Sequence, residues 1–104
     1  MLNKKEREKV MALYFNAVKN YIIECLQNFA GKKTNNYWNG GENELQILLY
    51  NLKLEKEAVS IQNYFYKLEL EGRQFVTRGN PVQFQQFINT LYQLKYINYK
   101  KEML

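Results

Sequence analysis

Hydrophobic residues recur at intervals of three or four along the first thirty residues, which is the spacing of one face of an α-helix. Asn3 and Glu6 have the spacing of a capping box at the start of this helix, and Gly31 suits the left-handed residue that follows its end. We therefore predict a first helix over about 3–30, with Cys25 buried as a small hydrophobe rather than a reactive thiol. The predicted stripe comprises Val10, Leu13, Tyr14, Ala17, Val18, Tyr21, Ile22, Cys25, Leu26 and Phe29.

The segment 42–71 contains neither glycine nor proline and carries apolar residues on two opposed sides. At about 100° per residue, one stripe lies roughly 160° around the helix from the other. The pattern predicts either one long helix or two helices broken near 54–57. Because a helix that is apolar on two sides needs cover on both, we predict a two-fold homodimer through this segment. The first stripe is Leu54, Ala58, Ile61, Phe65 and Leu68, and the second is Val59, Tyr66 and Leu70.

A third helix is predicted over 81–99. Asn80 is a favourable N-cap, and Pro81 suits the first helical position because its missing N–H has no partner there. Gly72 is expected to end the preceding helix, which leaves 72–80 as a connection. The patterns together predict an all-α fold, one domain over 1–104, with three main helices in a small dimeric bundle. The apolar residues of the third helix are Phe84, Phe87, Ile88, Leu91 and Leu94.

The stretch "SIQNYFYKLELEGRQFVTRGN", residues 60–80, resembles the recognition helix and wing of the winged helix-turn-helix regulators. The resemblance implies a wing strand over 75–77 with its tip at 78–80. It also implies base contacts from the recognition helix and phosphate contacts from Arg73 and Arg78. The acidic residues around this helix would face phosphates and repel them, so the winged helix stands as the alternative to the three-helix bundle. The implied base-reading residues are Gln62, Asn63 and Tyr66, and the acidic residues are Glu55, Glu57, Glu69 and Glu71.

The composition excludes several classes of enzyme. The chain has no histidine and no aspartate, and Cys25 is its single cysteine. It therefore has no imidazole base, no Ser-His or Cys-His pair, no imidazole metal ligand and no internal disulfide. We expect a non-enzymatic protein without catalytic residues, a metal site or a cofactor.

The N-terminus, "MLNKKEREKVMALYF", is basic but leads into no uninterrupted apolar region and no small-residue cleavage site. No run of the sequence approaches the length of a membrane span. We therefore expect a cytoplasmic protein that has no membrane partner.

Charge is distributed unevenly along the chain, whose net charge is +5. Residues 1–41 carry seven Lys/Arg against three Glu, 42–71 carry three against six, and 72–101 carry five against none. These segments are therefore basic, acidic and basic, and such a dipolar surface would attract polyanions. The alternative explanation is genomic base composition, because Lys, Asn, Tyr, Ile and Phe all have A/T-rich codons and the chain holds thirteen Asn and nine Tyr.

The candidate nucleic-acid-binding residues are basic side chains at the predicted helix ends. If the two ends of the chain converge, the basic residues that open the first helix would extend this surface, namely Lys4, Lys5, Arg7 and Lys9. Aromatic residues provide candidate stacking platforms for unpaired bases, or anchors for a protein partner. Two of these aromatics, Tyr37 and Trp38, lie in the Gly/Asn-rich loop 31–41, where the tryptophan could instead seal one end of the bundle. The basic candidates are Lys32, Lys33, Arg73, Arg78, Lys95, Lys100 and Lys101, and the third aromatic candidate is Tyr66.

Two classes of function fit these features. The first is a small non-enzymatic module that binds nucleic acid, or a nucleoprotein complex, through Lys/Arg at its helix ends. The second is a protein-interaction module, such as a small subunit or inhibitor from a mobile element or virus, that docks on a larger protein complex.

Overall fold

The structure is a computed structural model that describes residues 2–32 and 41–102, with side chains from residue 44 onward in the second range. The candidates Lys33, Tyr37 and Trp38 lie outside these residues. All regular secondary structure in the described part of the chain is α-helical, as predicted, but it forms five helices instead of three. They are α1 (Lys4–Phe29), α2 (Gly41–Asn51), α3 (Glu55–Thr77), α4 (Pro81–Gln93) and α5 (Tyr96–Glu102).

The limits of α1 agree with the prediction to within one residue. The Glu6 N–H donates to Asn3 Oδ1 at 2.8 Å, and the Asn3 N–H donates to Glu6 Oε1 at 3.2 Å, which completes the capping box. Gly31 has φ +78° and follows the end of the helix. The buried face is rotated from the predicted stripe, because α3 packs against the side that carries Met11 and Phe15. Buried residues of α1 are Met11, Tyr14, Phe15, Val18, Ile22, Ile23 and Leu26, whereas Leu13, Tyr21 and Phe29 are exposed and Cys25 is half-buried.

The predicted segment 42–71 is broken into two helices by residues 52–54. Lys53 has φ +60°, its N–H donates to the Tyr50 carbonyl at 3.0 Å, and the Leu54 N–H donates to the Leu49 carbonyl at 2.8 Å. This pair of bonds is a Schellman motif, which usually places glycine at the left-handed position. The side chain of Leu54 is buried beneath the turn. The helix therefore ends at a left-handed lysine and a buried leucine, and no glycine in the sequence indicates that end.

Gly72 does not end a helix, and the prediction that it would was wrong. It lies inside α3, which continues to Thr77 and closes with Gly79 at φ +67°. A Cβ atom at position 72 would lie 2.9 Å from Leu26 Cδ1 and 2.9 Å from Phe87 Cε2. The glycine therefore serves a close approach of α1 and α4 to α3. The wing implied by the resemblance was also wrong, because residues 75–77 form the last turn of α3.

The predicted helix over 81–99 is divided between α4 and α5. Leu94 is extended, with φ −65° and ψ +135°, and it turns the chain back toward α1. This return is favourable because it buries Tyr99 of α5 against Phe15, with 5.4 Å between the ring centroids. Asn80 precedes α4 as predicted, but its side chain donates to Gln83 Oε1 at 2.9 Å instead of capping the helix.

The core lies between α1 and α3 and is closed by the other three helices. Phe15 and Phe65 are fully buried at its centre, with ring centroids 4.9 Å apart. The first predicted stripe of 42–71 faces this core, from Leu54 to Phe65. The second stripe faces outward and is uncovered in the single chain. The homodimer therefore remains a prediction. No described helix has an apolar stretch long enough to cross a membrane.

Candidate polyanion-binding groove

The described members of the predicted basic set lie in two groups. Lys32, Arg73 and Arg78 lie where α1 and α3 end and α4 begins, since Arg73 contacts Phe29 at the end of α1. The other three lysines lie just before or within α5, the segment that follows α4 and packs beside the first half of α1. At 1.5 Å per residue, α1 is about 39 Å long, and the two groups lie toward its opposite ends. The second group is Lys95, Lys100 and Lys101.

The first group is largely engaged within the chain. Arg73 Nη2 lies 3.2 Å from Glu69 Oε2, and its guanidinium carbon lies 4.8 Å from the centroid of the Phe29 ring. Lys32 Nζ donates to Gln85 Oε1 at 3.0 Å. Arg78 is exposed next to the C-terminus of α3. Because Glu69 neutralises Arg73, this end of the bundle offers less free positive charge than the sequence suggests.

One member of the second group, Lys95, lines a groove between α1 and the α4–α5 return. We call it the lysine groove, and its volume is about 760 Å³. Its lining includes four lysines and a single carboxylate, which gives it a net charge of +3. The exposed Tyr92 and Ile97 add apolar surface. The lining residues are Lys5, Glu8, Lys9, Ala12, Asn16, Lys19, Tyr92, Lys95, Tyr96 and Ile97.

The only acidic residue of the lysine groove is itself neutralised, because Glu8 forms an ion pair with Lys100. A second ion pair, of Arg73 with Glu69, lies at the opposite end of the bundle. The ammonium groups of Lys5, Lys9 and Lys95 are in neither pair. Like charges brought together without a counter-ion favour an anionic ligand, and the lysine groove carries more net positive charge than the cavity on the other side of Glu8.

Lys19 lies deeper in the lysine groove and has a structural role. Its Nζ donates to the carbonyl oxygens of Tyr92 at 3.1 Å and Leu94 at 3.2 Å. These carbonyls lie at the C-terminal end of α4, where a cation satisfies unpaired acceptors and opposes the helix dipole. Burial lowers the pKa of Lys19 below its usual value, and the neighbouring charge of Lys95 lowers it further. Lys19 therefore holds the α4–α5 return in place beside α1.

A second cavity, of about 420 Å³, lies on the other side of Glu8 between α1, α3 and α5. Its charges are nearly balanced, with three cations against two carboxylates, and Ser60 Oγ lies 2.9 Å from the Tyr99 hydroxyl. Burial, followed by the charges of Glu57 and Glu8 and the neighbouring Tyr99, raises the pKa of Tyr96 to about 12. The balanced charges make this cavity a weaker candidate for an anion. Its lining residues are Lys4, Arg7, Glu8, Met11, Glu57, Ser60, Ile61, Tyr96, Tyr99 and Lys100.

The seven predicted binding residues included Lys95 but none of the three α1 lysines of the lysine groove. Of these, Lys5 and Lys9 were expected to join the surface only if the two ends of the chain converge, and Lys19 was missed. A signal for them existed, since Lys5, Lys9 and Lys19 are separated by four and ten residues and therefore lie on one side of a helix. The spacing does not show that the chain turns at Leu94 and places Lys95 and α5 next to this side of α1. Of the remaining candidates, Lys101 is exposed on α5 and Tyr66 is exposed on the outer side of α3.

Comparison with known proteins gives no match. No protein-family model matches the sequence, and the searches of curated proteins and of solved structures find no significant similarity. Within residues 2–32 and 41–102, no three His, Cys, Asp or Glu side chains are grouped as metal ligands would be. The candidate site is therefore argued from its own geometry and charge.

Proposed function

We propose that the protein is a non-enzymatic module that binds the phosphate backbone of a nucleic acid in the lysine groove. The observation that carries this proposal is the concentration of four lysines around a concavity whose one carboxylate is neutralised within the chain. Phosphate contacts of this kind supply affinity without reading sequence. The proposed binding residues are Lys5, Lys9 and Lys95, which line the groove, whereas Lys100 neutralises Glu8. Lys101, exposed on the same helix α5, adds to the positive charge of this end of the chain.

The dimensions of α1 are compatible with a backbone contact of several nucleotides. Residues 5 and 19 lie about 21 Å apart along the axis of α1 at 1.5 Å per residue. A groove of this length is sufficient for the three phosphate contacts proposed for Lys5, Lys9 and Lys95. The exposed ring of Tyr92 offers a flat face on which an unpaired base could stack.

The test is a titration of labelled single-stranded and duplex DNA and RNA, followed by fluorescence anisotropy over a range of salt concentrations. If Lys5, Lys9 and Lys95 each contact a phosphate, log Kobs should fall with log salt with a slope of about −2.7 for duplex DNA and about −2.1 for single strands. Lys9→Ala with Lys95→Ala should weaken binding and make the slope shallower by about 2 units in duplex.

A matched control removes two lysines from elsewhere on the surface. Lys56→Ala with Lys67→Ala deletes the same charge from exposed positions of α3 and should leave the salt slope unchanged. Arg73→Ala with Arg78→Ala tests the opposite end of the bundle. If only that pair weakens binding, the site lies at the α3–α4 connection and the lysine groove is rejected. No binding at low salt would reject nucleic-acid binding altogether.

A protein-interaction function is the second candidate, and exposed apolar side chains on α2 favour it. Ile47 and Tyr50 are 63% and 67% exposed, although Leu49 between them is fully buried. Exposed aromatic and aliphatic side chains on one helix are typical anchors for a protein partner. Co-purification followed by mass spectrometry would test this function. A specific partner should be lost with Ile47→Glu and retained with Val82→Glu, which changes an equally exposed apolar residue on α4.

A further inference from the structure

The outer side of α3 carries an apolar row that no part of the described chain covers. Val59, Tyr66 and Leu70 are 50%, 55% and 63% exposed, and the polar Asn63 lies between them. The four positions are separated by four, three and four residues, which is the spacing of a coiled-coil seam. We call these four residues the outer row of α3. None of them lines the lysine groove, so this surface is separate from the proposed nucleic-acid site.

Charges at the two ends of the outer row are complementary to a reversed copy of the same row. Glu55 is exposed at the start of α3, and Arg73 lies near its end, where it pairs with Glu69 while 43% of its side chain remains exposed. Positions 55 and 73 are five complete turns apart at about 3.6 residues per turn, so they lie on the same side of the helix. Their midpoint is residue 64, and the centre of the outer row lies between residues 64 and 65, so the two centres coincide to within one residue.

We propose that a second copy of this chain covers the outer row, with the two α3 helices antiparallel and the two-fold axis near residue 64. In that arrangement Val59 packs against the partner's Leu70, and Asn63 lies beside the partner's Tyr66. Glu55 faces the partner's Arg73 at each end of the seam. A symmetric pairing of this kind uses the same surface twice, as a two-fold dimer requires.

The antiparallel orientation follows from the charges. Glu55 and Arg73 lie on the same flank of the outer row, and in an antiparallel pair the same flank of each helix meets its copy, so that Glu55 faces the partner's Arg73. In a parallel pair in register each flank meets the partner's other flank at nearly the same height, so Glu55 and Arg73 would be separated by most of the length of α3.

Light scattering after size-exclusion chromatography tests the association. The chain has a mass of 12.6 kDa, and the wild type should approach twice that mass as its concentration rises. Leu70→Glu should remain at the monomer mass throughout the series with unchanged helical circular dichroism, since Leu70 lies on the surface. Val82→Glu introduces the same charge at a position that is 67% exposed on α4, and it should behave as the wild type does.

Disulfide cross-linking tests the orientation and does not depend on the folding of the Leu70→Glu variant. In a Cys25→Ala background, chains with Val59→Cys are mixed with chains of different mass that carry Leu70→Cys. The antiparallel dimer predicts cross-links between the two kinds of chain and few within either kind. A wild type that stays monomeric, or a Leu70→Glu variant that dimerises, overturns the proposed surface. Cross-links within each kind and none between them overturn the antiparallel orientation.

Discussion

Replacement of Gly72 by larger residues tests the close packing of α1 and α4 against α3. A Cβ atom at this position would lie 2.9 Å from Leu26 Cδ1, 2.9 Å from Phe87 Cε2 and 3.0 Å from Leu26 Cδ2. Non-bonded carbons prefer separations of about 3.5–4.0 Å, so each of these contacts is short by at least ~0.5 Å. Leu26 is fully buried, and its displacement would disturb the core.

Two effects of opposite sign determine the cost. Gly72→Ala gains about 1 kcal/mol of helix propensity, because glycine is that much less favourable in a helix interior. Overpacking costs about 1–3 kcal/mol, so the alanine variant should lose roughly 0–2 kcal/mol of unfolding free energy. Gly72→Val adds two further methyl groups and gains less propensity, and it should lose about 2–3 kcal/mol.

Urea denaturation followed by far-UV circular dichroism measures these differences. The loss of unfolding free energy should rise with the size of the side chain at position 72. Leu26→Ala should make room for that side chain, so the loss in the Gly72→Val/Leu26→Ala double variant should be at least about 1 kcal/mol smaller than the sum of the losses in the two single variants. If Gly72 were instead a left-handed terminator, alanine and valine would both cost backbone strain and Leu26→Ala would not couple to either. A valine variant as stable as the wild type would contradict the close packing directly.

Three further predictions concern caps and ionisation. Asn3→Ala should lower the free energy of unfolding by about 1 kcal/mol, because it removes the side-chain acceptor of the α1 capping box, and urea denaturation measures this. Gly79→Ala should cost about 1–2 kcal/mol in the same assay, since residue 79 has φ +67° and open space around it, so the cost comes from the backbone alone. Tyr96, with its pKa raised to about 12, should ionise after the exposed tyrosines in a spectrophotometric titration. Because its folded-state pKa lies above the ordinary value of about 10, stability should fall as the pH rises from about 10 to about 12, and Tyr96→Phe should reduce that fall.

Local signals in the sequence were sufficient to predict the ends of α1 and the start of α4. The capping box of Asn3 and Glu6 requires only residues three apart, and Gly31 adopts the left-handed conformation that its position suggested. Pro81 also occupies the first turn of its helix as expected. These features depend only on residues within one or two helical turns of each helix end, so they can be read from the local sequence.

The exact break within 42–71, which the pattern had placed near 54–57 as one of two alternatives, and the end of α3 could not be located in the same way. Lys53 takes the left-handed position that glycine usually holds, and Gly72 takes a helical position where it had suggested a helix end. In both places tertiary packing decides the conformation, through burial of Leu54 in the first and the approach of Leu26 in the second. The intrinsic conformational preference of a glycine contributes about 1 kcal/mol, whereas burial of one large apolar side chain stabilises the fold by about 1.5–3 kcal/mol.

The candidate site was predictable only in part for a related reason. Lys95 was identified from the basic C-terminal segment, but its partners on α1 depend on the turn at Leu94 that brings α5 back beside that helix. Lys19 stabilises this turn by donating to two carbonyls at the end of α4. The residue that organises the groove is therefore one whose role is visible only in the folded chain.

The two proposed surfaces have separable consequences, because the lysine groove involves α1, α4 and α5 and the outer row involves α3. Substitutions in the two surfaces share no described contact and should act additively on the free energies that they affect.

An antiparallel dimer would nevertheless carry two lysine grooves related by its two-fold axis. A nucleic acid long enough to reach both would gain from the effective concentration of the second groove, whereas a short one would not. Leu70→Glu should therefore weaken binding to long nucleic acids while leaving binding to short oligonucleotides unchanged. Equal weakening at both lengths would show that Leu70 acts on the groove itself.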